Sequence, residues 1–334
     1  MCNGFSPNHE YTKTFNAARA CRRGTNILSI VKHPRRLQAQ QHGPTDFDSE
    51  AVLKFSAASH HSTKPVRVKI SACSTRTNIC DTLQDFFHND KHRDCLLIGS
   101  GNTNCHEPTM EYNTKSLLQK RWEKESAHFK DNIAFPPSNE ESCKTLELRV
   151  RTGFLAFTIY AIAILGVQLV QKEIQGQDND QDFSIENEAV PEYQFVLLEE
   201  DFTAEGPPPL VWIFNQLTGK GKGQQPLLSP NTLDEPHMMH AYLEVSPYVC
   251  KVEPRTSEEE SSHVEQMEVT FHAVSRVEIN VSFPYLLLKI LPVPKEVIER
   301  QGSLALQKNL DRDVVPGIRE FRETFVTWKK QNYL

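Results

Sequence analysis

The stretch LQKNLDRDVVPGIREFRETFVTW, residues 306–328, decides the architecture. Leu306, Leu310, Val314, Ile318, Phe321, Phe325 and Trp328 recur at steps of four or three, which places them on one side of an α-helix. The stripe lasts roughly six turns at 3.6 residues per turn. A helix that long, apolar on one side and charged on the other, requires a broad apolar surface to cover, and a sheet provides one. Pro316 removes one backbone donor and predicts a kink near the middle.

Immediately upstream, Val277, Ile279, Val281 and Phe283 alternate with Glu278, Asn280 and Ser282, the pattern of a half-buried strand. Pro284, Pro292 and Pro294 keep a helix from forming before Lys295. Further out, Val66, Val68 and Ile70 alternate with Arg67 and Lys69, so a first strand with one wet face closes the stretch from Phe55 to Ile70. Thr77 or Asn78 caps a helix that carries Ile79, Leu83, Phe86 and Phe87 on one side. Tyr193–Leu198 and His240–Val252 read as further strands. Between them lie polar insertions near 99–143, 171–190 and 219–236; the first includes a helix with Leu117, Leu118, Trp122 and Phe129.

Gly153 to Val170 is the most apolar segment. It approaches the ~20 residues of a membrane span, and Arg149 and Arg151 flank it as a positive boundary would. Yet Leu146, Leu148 and Val150 alternate with Glu147, Arg149 and Arg151 on the way in. Inside it, β-branched and aromatic residues dominate, and Gly153 and Gly166 offer places for a turn or bulge. Two successive buried strands, near 145–159 and 161–171, account for the segment; a chain anchored in a membrane through 153–170 is the alternative.

The order of strand, helical segment, antiparallel strands and long terminal helix resembles the helix-grip fold of START and Bet v 1 type proteins. Val277-Glu-Ile-Asn-Val-Ser-Phe-Pro-Tyr-Leu-Leu-Leu-Lys-Ile-Leu-Pro292, Val297-Ile-Glu-Arg-Gln-Gly302 and Trp328 are similar to an uncharacterised cyanobacterial and plant plastid family known only as a domain of unknown function. That family tends to have Asn where Ser303 stands and Tyr where Phe325 stands, and a proline between its second and third strands that Tyr160-Ala161 lacks. The resemblance implies an α+β fold, a curved antiparallel sheet wrapped on a long C-terminal helix, over residues 51–334. It brings no catalytic residues with it.

Composition narrows the partners. Residues 1–45 carry seven Lys and Arg against the single acid Glu10, a net +6, in a chain whose net charge is −6. The remaining −12 repels phosphate backbones and argues against a nucleic-acid partner. The basic, acid-poor residues 1–50 read as a disordered, transit-like presequence, for a plastid ahead of a mitochondrion, with a plain basic tail as the alternative. Eight scattered cysteines without CxxC spacing read as reduced thiols and give no zinc site.

Chemical motifs are sparse. Gly99-Ser-Gly101 lacks the register of a nucleophile elbow, and Gly219-Lys-Gly-Lys-Gly223 is followed by prolines rather than the helix a phosphate loop needs. His237 and His240, beside an expected strand, point to opposite faces and find no third ligand; His60 and His61 read as surface residues. Glu199-Glu-Asp201 reads as a solvated rim. No metal, cofactor or catalytic set is expected. What remains is the space between sheet and terminal helix, lined by Ile159, Phe195, Ile279, Val281, Leu310, Val314 and Phe321. It suits a lipid, pigment or isoprenoid, and with it peripheral membrane contact; each residue has plain core packing as its other reading. A cyclase- or hydratase-like enzyme in the same pocket is the second expectation, and it requires an acid/base pair inside.

Overall fold

A computed structural model describes residues 50–71, 77–97, 103–106, 112–130, 132–134, 143–154, 157–173, 189–208, 211, 215, 239–251, 264–284, 288–289 and 293–332. Its first strands are β1 (Glu50–Ser62) and β2 (Val66–Ser71), both antiparallel to β8 (Val264–Pro284). Ser62 faces His272 and Val66 faces Val269, so Thr63, Lys64 and Pro65 oppose only two residues of β8. Pro65 has no N–H for the ladder. The Thr63 hydroxyl fills in by accepting from the Phe271 amide at 3.0 Å, while the Thr63 amide donates to the Phe271 carbonyl at 2.9 Å. β1 and β2 are thus one edge strand with a bulge.

From that edge, α1 (Thr77–Phe87) and α2 (Asp90–Asp94) lead on to β3 (Thr103–His106) at the opposite edge. Then β4 (Cys143–Phe154), β5 (Phe157–Glu173), β6 (Ala189–Glu205), β7 (Met239–Lys251) and β8 follow as an antiparallel meander. The sheet order is β1-β8-β7-β6-β5-β4-β3. This is an α+β architecture, a curved antiparallel sheet with a long C-terminal helix, α4 (Lys295–Asn332). α4 runs as one helix through Pro316.

The sheet is covered on both sides. Tyr193, Phe195 and Leu197 of β6 alternate with Gln194, Val196 and Leu198, and all are buried. Tyr193 and Phe195 join Ile79, Leu83, Phe86 and Phe87 of α1, Phe271 of β8, and Ile318, Phe321 and Phe325 of α4 in one core. Val196 and Leu198 join Leu118 and Trp122 of α3 (Tyr112–His128), with Ile164 and Tyr242, in a second core on the other face. Part of the 99–143 insertion is therefore an outer layer. Gly166 admits it: a Cβ there would lie 2.6 Å from the Trp122 ring, so only glycine lets the indole rest on β5.

The apolar segment 153–170 divides between β4 and β5, and among the described residues no helix is long and apolar enough to cross a membrane. The hairpin turns earlier than its expected place near 160. Phe154 faces Phe157, leaving Leu155 and Ala156 between the strands, a pair without Gly, Asn or Pro to mark it. Gly166 lies next to the register shift at Ile164/Leu165, where β6 carries one extra residue. β8 also begins well before Val277, with Met267, Val269, Phe271, Ala273 and Ser275 buried on alternate positions. Residues 1–49, most of 171–190 beyond Glu173, and all of 219–236 lie outside the described residues.

Candidate functional site

Each face of the sheet gathers a distinct set of groups. On the face of α1 and α4, helix and edge strand are tied by a ladder of side chains. The amide of Lys54 donates to Glu299 Oε1 at 2.8 Å, that of Ser56 to Ser303 Oγ at 3.1 Å and that of Ala58 to Gln307 Oε1 at 3.1 Å. Next along the helix, Asp311 Oδ1 accepts from Ser59 Oγ at 2.5 Å and lies 3.1 Å from His61 Nε2. Hydrogen bonds from Ser59, then Gln307 and His61, hold the Asp311 carboxyl below its ordinary range. Glu299, Ser303 and Gln307, at steps of four, thus occupy amides that β1 turns away from β8, and Asp311, four further on, takes up two of its side chains. Gly302 allows the approach, since a Cβ there would run into the Phe55 ring.

The residues expected to line a pocket divide along this helix. Phe195 and Phe321 lie in the sealed core; the Phe321 ring sits 5.0 Å from Phe86 and 5.2 Å from Phe271. Val314 packs against that core and is half-buried. Ile279 and Val281 of β8 face Phe55 and Leu53 of β1, and both, like Leu310 of α4, remain half-buried. Ile159 falls in β5 opposite Ala204, but its side chain lies outside the described residues.

The other face holds polar chemistry that sequence reasoning missed. Lys172 of β5 places Nζ 3.0 Å from Glu192 Oε2 of β6 and 3.0 Å from Glu244 Oε1 of β7. The side chains of the two carboxylates are 1% and 9% exposed, that of the lysine 55%. Gln194 Nε2 donates to Glu192 Oε1 at 2.8 Å, and Gln194 Oε1 accepts from Gln168 Nε2 at 2.9 Å and from the Ala134 amide at 3.0 Å. Lys172, Glu192, Gln194, Glu244 and Ala134 border a cavity of about 390 Å³ whose walls also include Lys130, Ile133, Val170 and Val274. Burial, then the neighbouring Glu244, pushes Glu192 up to about 7. Burial opposes the charge of Lys172, but its bonds to Glu192 and Glu244 prevail and raise it.

Beside the cavity, α3 meets β7 and β8 through charge pairs. His240 Nδ1 lies 2.9 Å from Glu125 Oε1, which with burial working against it holds the imidazole above its usual range. His128 stacks on His240 at 4.4 Å between ring centres and reaches Glu278 Oε2 at 3.1 Å. Arg121 donates to the Leu198 carbonyl at 3.2 Å and pairs with Glu199, so Glu199 packs inward rather than on a rim. His60 stacks on His272, and His237, Gly99-Ser-Gly101 and Gly219–Gly223 lie outside the described residues. Burial pushes the Cys95 thiol up to about 12, which leaves it protonated and a poor nucleophile. Among the described residues no cluster of three His, Cys, Asp or Glu side chains is placed to hold a metal ion.

One signal for the polar site was present in the sequence. Glu192 and Gln194 sit two apart inside the run Val190–Leu198, on one face of a strand too apolar to have a wet side. An acid and an amide at that spacing in such a strand mark a polar network within the protein. The chain matches no protein-family model and no curated protein.

Proposed function

We propose that the chain has a helix-grip fold and binds a hydrophobic small molecule, a lipid, pigment or isoprenoid, between the sheet and the N-terminal half of α4, without chemistry on it. The fold reading is supported by an edge strand, short helices leading to the far edge, an antiparallel meander and a terminal helix laid back on the first strand. The ligand reading rests on one observation, the gradient of burial along α4. Ile318, Phe321 and Phe325 are sealed, whereas Leu310 above, and Phe55, Ile279 and Val281 below, stay half-exposed. An apolar wall of this kind gains about 25 cal/mol for each Å² it loses to water, which favours an apolar occupant. The likeness of the C-terminal segment to the plant and cyanobacterial family, and the basic first 45 residues, support a plastid setting. Import assays with isolated chloroplasts and mitochondria test that address.

The binding test is native mass spectrometry of the full chain, purified without detergent from a host that makes lipids. A discrete co-purifying mass is expected, and Ile279→Trp, which fills the wall, is expected to lose it while remaining folded. A wild-type chain that carries no adduct, even after incubation with a lipid extract, removes the reading. An adduct retained by Ile279→Trp places the ligand elsewhere.

A further inference from the structure

The cavity on the α3 face lies across the sheet from the proposed ligand wall and stands independently of it. Its floor is unusual for a solvent-facing hollow: two carboxylates, Glu192 and Glu244, are almost wholly withdrawn from water, and one ammonium spans them. Buried carboxylates need a cation or a proton. That cation arrives on the most exposed side chain of the set, Lys172, which is 55% exposed while its tip is held by the two acids. Releasing so exposed a side chain breaks little packing and frees rotamers. The cavity also offers short apolar walls, Ile133, Val170 and Val274, beside the acids.

We propose that this cavity is a binding site for a small organic cation, a primary ammonium or guanidinium with a short apolar tail, whose head takes the place of Lys172 Nζ between Glu192 and Glu244. The lysine is then a tethered occupant, and a free amine competes with it by presenting the same N–H donors at the same two oxygens. Gln194 holds Glu192 in position through its 2.8 Å bond and is itself fixed by Gln168 and the Ala134 amide, so the acceptor geometry stays in place when the lysine leaves. The charged groups facing Glu192 are Lys172 of β5, Glu244 of β7 and Lys130 after α3. Glu192 is pushed up to about 7 by burial and Glu244, so occupancy by a cation falls as pH drops through neutrality.

The test is calorimetric titration of the full chain with n-butylammonium in phosphate buffer near pH 8, where no buffer amine competes. Lys172→Ala, checked for folding by circular dichroism, is expected to bind at least tenfold more tightly than wild type, since the tethered rival is gone. Glu244→Gln in that background is expected to remove the gain. Tetramethylammonium, which has no N–H to donate, is expected to bind weakly to every variant. Lys172→Met replaces Lys172→Ala if the latter does not fold. Equal affinity for wild type and the folded lysine variant, no detectable binding by either, or a gain that survives Glu244→Gln overturns the proposal.

Discussion

At the scale of single residues, the two faces of the sheet fail in different ways. Gly166 is the point where α3 touches β5, and Gly166→Val drives two methyl groups into the Trp122 ring. A loss of about 1–3 kcal/mol is expected from the urea midpoint. Trp122→Ala in the same chain is expected to recover part of it, a coupling that independent sites do not show. Glu192 gives a second prediction, with a definite sign. A carboxylic acid whose native value stands near 7, above its unfolded value, stabilises the fold while protonated and loses that contribution as pH rises through about 7. The stability of Glu192→Gln relative to wild type is therefore expected to improve from pH 5 to pH 8 in urea titrations. A constant difference across that range would mean that Glu192 titrates normally. Such residues were hard to read in the sequence. Lys172 falls in a stretch that reads as a polar linker, and its partners Glu192 and Glu244 lie 20 and 72 positions further on, a distance that only the strand pairing closes.

At the scale of elements, α4 does two kinds of work. Its second half is a core helix, and Phe321→Ala is expected to cost about 3–5 kcal/mol, because the ring is fully buried among Phe86, Phe87 and Phe271. Its first half holds β1 by polar contacts. Gln307→Leu removes one acceptor at a site that water can reach, so stability should change by only about 1 kcal/mol. Hydrogen exchange at Ala58 is a sharper readout and should quicken, while Phe271 in β8 keeps its protection; equal protection at Ala58 in the variant would deny the helix this role. The sequence displayed the first of these functions and concealed the second. Ile318, Phe321 and Phe325 announce themselves by spacing, whereas Glu299, Ser303, Gln307 and Asp311 share a spacing with ordinary wet-face residues and gain meaning only beside an edge strand. The helix within 99–143 was legible from Leu118, Trp122 and Phe129. Nothing in its pattern told which side of the sheet it would cover.

At the scale of the whole molecule, the order of the chain matters as much as its final shape. Of the described strands β1 is built first and its neighbour β8 last, so the sheet's first edge lacks a partner until the meander is complete. Even then the far side of β1 stays open, because the side chains that occupy its amides reside on the 38-residue helix α4. A chain ended just before Lys295 should therefore associate through β1, with a light-scattering mass that rises with concentration, whereas the mass of the full chain should stay constant. The same arrangement means that during synthesis the edge is exposed for at least as long as the ribosome takes to complete α4. A ribosome adds roughly 5–20 residues per second, and the tail of the helix must still clear the exit tunnel. The first edge of the sheet is thus open for about a few seconds in each round of synthesis, an interval that closes when the helix folds down.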